Sequence, residues 1–347
     1  MEPVPITVTK MKDTPPTTIR DVARKAKVGV GTVSRVLNDN PSVSEKTREK
    51  VLTAIEELDY TPNPIARQLS VGRTLTIGII LPYLTLPSYI ERLRGVQHVL
   101  ASSEYDLVIF CVDDPAQKNA YFQDLSRKSR VDGMLIVSLP PDDFQADYFT
   151  RSGIPTVLID SDHSKLCCVV ADDIEGGRMA TRYLIELGHR KIAYLTDYLE
   201  TPFHPAMSYR YQGYRSALEE VEIPYNPDYF MQGERDRESA RALAKKLLSL
   251  DDPPSAVFAA SDARALGILE AAQEMKIKVP SELSVIGYDA IRESAYYNLT
   301  TIDQSLFDSG VMGTQMLFDL LTNRAQPPCK KHVPLKLLAR STTAPPP

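Results

Sequence analysis

The sequence predicts an all-α helix-turn-helix head followed by an α/β body of two tandem parallel-sheet lobes. Three observations predict it. Residues 17–58 show short helical periods broken by turn signals. From Leu75 onward, apolar runs of strand length alternate with helix-length amphipathic segments. Those runs fall into two series, as two similar βα units placed one after the other require.

Taken in order, residues 1–16 are rich in Pro and Thr without apolar periodicity and read as a disordered tail. Thr18 is positioned to cap a first helix, with Asp21 three residues on to complement the open N–H groups. Ile19, Val22, Ala23 and Ala26 then share one face. Lys27–Val28–Gly29 interrupts the period, and a second helix runs from Val30 to Asn38 with Val33, Val36 and Leu37 inward. Asn38–Asp39–Asn40–Pro41 ends it. Ser44 caps a third helix with Val51, Ile55 and Leu58 as its apolar face. Asn63 and Pro64 have the N-cap and first-turn residue types of a further helix under two turns long. So short a helix is unstable alone in water and needs a partner to pack against.

In the body, strands are expected near 75 (LTIGIIL), 105 (YDLVIFCV), 131 (VDGMLIV) and 154 (IPTVLID). A second series follows near 191 (KIAYLT), 228 (DYFMQG), 256 (AVFAAS) and 283 (LSVIGY). Buried parallel strands with helical crossovers give this spacing. A cleft is expected between the lobes, beyond the carboxyl ends of the strands.

The formal net charge of -5 argues against a chain coated in nucleic acid, yet it is an average. Residues 1–73 hold 12 Lys+Arg against 9 Asp+Glu, and the remaining 274 hold 28 against 36. Arg20, Arg24, Lys25, Lys27, Arg35, Lys46, Arg48 and Lys50 give residues 17–50 an excess of +4. A basic head on an acidic body fits DNA binding, and equally fits a solvated helical surface. No apolar run approaches the ~20 residues of a membrane span, and the N-terminus lacks a secretion signal. The four cysteines (Cys111, Cys167, Cys168, Cys329) form no CxxC pair and read as reduced packing residues of a cytoplasmic protein. The histidines lack metal-ligand spacing, so neither metal nor cofactor is expected. Gly29-Val-Gly31 follows a helix rather than a strand, which removes it as a dinucleotide fingerprint. With no nucleophile elbow, P-loop or zinc-protease motif either, no catalytic residue is assigned.

The segment TTIRDVARKAKVGVGTVSRVLNDNPSVSEKTREKVLTAIEELDYTPNPIARQL closely resembles the head of LacI/GalR-family transcriptional regulators. The resemblance continues in family order through TLTIGIILP, VDGMLIV, ELGHRKIA, GYRSAL, AVFAASDARALG, VPSELSVIGYDA and LTTIDQS. It implies a periplasmic-binding-protein-like body and the following division: tail 1–16, helix-turn-helix domain 17–60, hinge helix and linker 61–73, first lobe 74–160 with 291–325, second lobe 161–290 with 326–340, and a disordered tail 341–347.

The resemblance implies that Val30, Gly31 and Arg35 face base edges in the major groove, Arg35 as a bidentate donor to guanine. Thr18, Thr32, Ser34 and Asn38 are candidate phosphate or base partners, with capping and packing as equal alternatives. Where the family has Gly and Ser at the turn, this chain has Lys27 and Gly29, so Lys27 is expected at positive φ. Asn63, Ala66, Arg67 and Leu69 match the hinge helix, with Leu69 as the minor-groove wedge.

In the cleft, Arg210 and Asp289 match the family's effector contacts. Asp262 matches an acidic position too, though a helix N-cap is its stronger reading. Tyr83, Ser88, Tyr89, Asp160, Arg235 and Gln304 are further candidates. Together these imply a ligand-responsive repressor that binds a pseudo-palindromic operator as a homodimer, with a sugar or related polyol as effector and no membrane partner. After Arg340 only STTAPPP remains, with no heptad for a tetramer. A transporter's solute-binding protein or an enzyme on the same two-lobed body are the alternatives.

Overall fold

The structure is a computed structural model describing residues 17–37, 39–61, 73–127, 130–200 and 205–347. It divides into two compact units at residue 73, a helical head and an α/β body.

In the head, α1 (Ile19–Ala26), α2 (Val30–Leu37) and α3 (Glu45–Glu57) enclose a small core. The expected inward residues Val22, Ala23, Ala26, Val33, Val36 and Val51 are buried, joined by Ala54 and Tyr60. Each fully buried valine contributes about 1.5–3 kcal/mol relative to exposure. Lys27 stops α1 in the left-handed region, with φ 56, ψ 44. Its neighbour's amide closes the turn, Val28 N–H donating to Ala23 O at 3.0 Å. Gly29 then serves as the cap of α2, its carbonyl accepting from Thr32 N–H at 2.9 Å. Ser44 stands at the cap position of α3, but its hydroxyl meets the Thr47 hydroxyl at 2.9 Å instead of a backbone amide.

The body holds two six-stranded sheets. The first contains β1 (Thr76–Pro82), β2 (Asp106–Val112), β3 (Gly133–Val137), β4 (Thr156–Ile159), β5 (Cys167–Val170) and a late strand, β11 (Cys329–His332). Their order is β11-β5-β4-β3-β1-β2, all parallel. The second contains β6 (Ile192–Asp197), β7 (Phe230–Gly233), β8 (Ala256–Ala259), β9 (Ser284–Asp289), β10 (Thr300–Asp303) and β12 (Lys336–Leu338). Here the order is β12-β10-β9-β8-β6-β7, parallel except for β12 against β10. Both faces of each sheet carry apolar clusters, which is why the central strands read as continuous apolar runs.

Helices that position the cleft are α4 (Pro87–Leu100), α7 (Asp173–Glu186), α8 (Pro205–Glu219), α10 (Asp262–Glu274) and α12 (Leu306–Leu321). Between β2 and β4 lie α5 (Pro115–Arg127) and α6 (Asp143–Ser152), while α9 (Arg237–Leu248) follows β7 and α11 (Arg292–Tyr296) follows β9.

Several expectations are corrected. Each sheet has two more strands than the apolar runs predict. The lobe boundaries move: β5 and β11 belong to the first sheet, although 161–290 and 326–340 were expected in the second lobe. Conversely β10 belongs to the second sheet, although 291–325 was expected in the first. Pairing register decides this, Asp303 lying opposite Asp289 and Cys329 opposite Cys167. Residues 341–347 are an ordered strap on the second lobe. Thr342 Oγ1 donates to Val285 O at 2.7 Å and accepts from Thr300 N–H at 2.9 Å. Cys167 and Cys329 are joined by a disulfide, with Cα atoms 4.4 Å apart, so only Cys111 and Cys168 keep free thiols. Burial pushes the Cys168 thiol up to about 11, so it remains protonated as a packing residue should.

Candidate functional site

The head presents the N-terminal turn of α2. Val30, Gly31 and Arg35 are exposed along one face, with Val30 43% accessible, and Thr32 and Ser34 are half-buried beside them. At 3.6 residues per turn Val30, Gly31, Ser34 and Arg35 share one side of the helix, and Thr32 lies at its edge. Space beside Gly31 is open, with no atom within 4 Å of where a Cβ would sit. Thr18 is committed locally: its backbone N–H and hydroxyl both donate to Asp21 Oδ2, at 3.0 and 2.6 Å. Those bonds hold the Asp21 carboxyl below its usual range. Arg48, counted in the basic excess, is likewise engaged, donating to Asp39 Oδ1 at 2.7 Å and to Asn40 O at 3.1 Å. Asn38, Asn63, Ala66, Arg67 and Leu69 lie outside the described residues.

In the body, polar side chains converge where the strands of both sheets end. Ser88, Tyr89, Asp160, Arg210, Arg235, Asp289 and Gln304 all line a central cavity of about 50 Å³. A chamber of about 410 Å³ adjoins it at Asp160 and Ala206. Another of about 610 Å³ adjoins it at Leu86, Asp197 and Arg235.

Arg210 is set by helix packing. Gly177 on α7 and Gly213 on α8 let the helices touch, since a Cβ on Gly177 would fall 2.2 Å from Arg210 O. This approach brings Asp173, at the start of α7, within 2.7 Å of Arg210 Nε. Arg210 Nη1 donates to Ala260 O at 2.7 Å and stands 3.5 Å from Asp289 Oδ1. Its guanidinium lies 3.7 Å over the Tyr288 ring. The two carboxylates outweigh desolvation and hold Arg210 well above its ordinary value. Asp289 ends β9 with φ 116. Burial raises its carboxyl to about 6 against the pull of Arg210 and Arg92.

From the first lobe, Arg92 on α4 reaches Asp160 Oδ1 at 2.8 Å and Gln304 Oε1 at 3.1 Å. Asp160 also accepts from Ser138 Oγ at 2.5 Å. Tyr89 is buried and its hydroxyl is held neutral by desolvation, with a bond to Ser138. Tyr83 lines the larger chamber, with the Arg235 guanidinium 4.1 Å over its ring. Arg235 Nε also donates to Asp197 Oδ2 at 2.7 Å, and Asp197 in turn binds Arg264. Despite its burial, Asp197 is kept below the usual carboxylate range by those two guanidiniums, Arg264 first.

Asp262 is not brought to the cleft. It is fully buried, accepting from Thr301 Oγ1 at 2.5 Å and from Ile291 N–H at 2.9 Å. Nor is it the N-cap: Ser261 occupies that position, its Oγ accepting from Arg264 N–H at 3.4 Å. Arg92, Asp173, Asp197 and Arg264 join the residues named from the sequence. Asp197 had the same signal as Asp289, an acid at a strand's carboxyl end. Arg92 lies between Tyr89 and Val96 on the buried face of α4, where a charge signals a buried partner.

Comparison with known proteins matches residues 18–63 to the bacterial regulatory proteins of the lacI family and residues 181–343 to a periplasmic binding protein-like domain. The HTH-type transcriptional repressor PurR of Escherichia coli O139:H28 is 34% identical over 333 residues, 94% of this chain and 97% of that protein. The chain belongs to the lacI family of bacterial regulatory proteins. This regulator also resembles the Lac repressor dimer bound to operator and the anti-inducer ONPF, with 29% identity, a TM-score of 0.84, and coverage of 95% and 100% of the two chains. A CelR–cellobiose complex is similar at 30% identity, with a TM-score of 0.68 and coverage of 94% and 99%. It is a ligand-responsive transcriptional regulator with a DNA-binding head and a ligand-binding body. No helix among the described residues is long and apolar enough to cross a membrane.

Proposed function

We propose that this regulator is a cytoplasmic repressor that binds a pseudo-palindromic operator as a homodimer and answers to a sugar or related polyol in its cleft. It works by binding and carries out no catalysis. Arg210 carries the reading: its guanidinium lines the central cavity and is held in place by Asp173, Ala260 O and the Tyr288 ring. Asp160, Asp289 and Gln304 supply acceptors and a donor beside it. A polyol hydroxyl both donates and accepts, so it suits such a mixed rim better than an apolar or singly charged ligand.

In the head, Arg35 reads guanine, Val30 offers apolar contact, and Thr32 and Ser34 reach phosphates or base edges. Asn63, Ala66, Arg67 and Leu69 act at the operator centre, with Leu69 as the wedge. Effector and operator alter each other's affinity by the same factor. A thermal-shift screen of sugars and nucleosides against the full chain and Arg210→Ala tests the cleft. Stabilisation of the parent alone is expected, and equal shifts in both would contradict the assignment. Leu69→Ala should weaken specific binding more than non-specific binding, and equal losses would remove the wedge.

A further inference from the structure

We propose that Cys167 and Cys329 form a reversible oxidation site that sets the stiffness of the joint between the two lobes. The inference rests on where the pair sits and on the family's work, and it goes beyond the effector reading. Cys167 is on β5 and Cys329 on the edge strand β11, directly opposite in parallel register. Beyond β5 the chain leaves the first sheet through residues 171–172 to α7, whose first residue, Asp173, holds Arg210. Beyond β11 it leaves again through residues 333–335 to β12 of the second sheet. The third crossing is tied to that one, Ser305 Oγ donating to Pro334 O at 2.9 Å. The disulfide therefore ties β5 to the edge strand β11 at their first residues, about 10 Å before the ends from which the two interlobe crossings leave, and so pins the strands that carry those crossings.

A DNA-binding regulator works where cellular thiols are kept reduced, and disulfides found there are usually transient or sensing. Access suits exchange. Cys329 is half-buried and lines a surface cavity of about 370 Å³ with Lys330, Asp162 and His163. Cys167 is fully buried. From the reduced state, the Cys329 thiolate attacks one sulfur of a small disulfide such as oxidised glutathione, forming a mixed disulfide and releasing one glutathione thiolate. The Cys167 thiolate then attacks Sγ of Cys329 and releases the second. The two protons lost by the cysteines end on the two glutathiones, so one disulfide is reduced as the other forms. Without the bond, β11 is held to β5 by edge-strand backbone bonds, including Val333 N–H to Val170 O at 2.9 Å.

The test equilibrates the full chain in mixtures of reduced and oxidised glutathione, traps thiols by differential alkylation and measures the Cys167–Cys329 pair by mass spectrometry. Hydrogen exchange is followed in parallel at residues 170–173 and 333–335. The pair is expected to open and re-form reversibly, with exchange at the crossings about five-fold or more faster in the reduced form. Cys329→Ser should show the faster exchange in both buffers, while Cys111 and Cys168 alkylate equally throughout. A pair that stays oxidised in excess reduced glutathione, or exchange identical in the two forms, overturns the proposal. Neither readout needs DNA or effector, so failure here leaves the regulator reading standing, and failure there leaves this one.

Discussion

Gln304 Nε2 donates to Asp289 Oδ1 at the carboxyl ends of neighbouring strands β10 and β9, while Gln304 Oε1 accepts from Arg92 of the first lobe. One amide thus joins two clusters of opposite charges, Arg92 with Asp160 and Arg210 with Asp173 and Asp289. Ser138, Asp160, Arg92, Gln304, Asp289, Arg210 and Asp173 form a continuous polar relay from one lobe to the other. A ligand entering the central cavity meets this relay directly, because Arg92, Asp160, Arg210, Asp289 and Gln304 all line it. A ligand shifts the balance between two arrangements of a protein only by contacting them differently.

Removing the amide leaves Asp289 short of a donor and Arg92 short of an acceptor, both buried. Gln304→Ala should therefore lower the urea-unfolding free energy of the body by about 1–3 kcal/mol. An unchanged midpoint and slope would mean that the relay carries no stability.

Asp289 holds its proton more tightly in the folded chain than in the unfolded one, about 6 against 3.8. The folded state therefore binds more protons between those values, and this group's contribution to stability falls as pH rises through that window, then stays level. The gap corresponds to about 3 kcal/mol. Asp289→Asn mimics the protonated acid, so its melting temperature relative to the parent should rise from pH 4 to pH 7. A difference independent of pH would contradict the assignment.

Thr342 satisfies the buried Thr300 amide and donates to Val285 O. Thr342→Val keeps the shape and removes both bonds, so it should cost about 1–3 kcal/mol in thermal or denaturant unfolding. No loss would argue that the C-terminal strap is held by its backbone bonds alone.

Arg35 is exposed on the open face of α2. Arg35→Ala should cost about 1–3 kcal/mol in binding to specific DNA and much less on a scrambled duplex, by fluorescence anisotropy at fixed salt. Equal losses on both duplexes would assign Arg35 to the phosphates.

Local chemistry made the head and the central strands legible. The turn at Lys27 was readable because a helical period broke there, and the structure puts that residue at φ 56. Asp160 and Asp289 stand just past apolar runs, where parallel strands deliver them to the cleft, whereas Gln304 follows β10, a strand no apolar run predicts, and is marked by the family resemblance alone. Arg92 and Asp173 were not legible, because a charge on a helix reads as solvated until the partner across the gap is known. Asp262 has an acid's composition at a strand-end position, yet Thr301 and the Ile291 amide absorb both its oxygens. The edge strand CKKH carries no apolar alternation, and its cysteine pairs with one 162 residues away. Such pairing is fixed by sheet order, which no local spacing encodes.

Coupling between cleft and head is read by titrating the full chain onto the DNA upstream of its own gene, alone and with each stabilising sugar from the thermal screen. Salt-sensitive, sequence-selective binding is expected, with an affinity that at least one such sugar changes by about 5–150-fold, a response lost in Arg210→Ala. Binding without sequence preference, or an equal sugar response in Arg210→Ala, would contradict it.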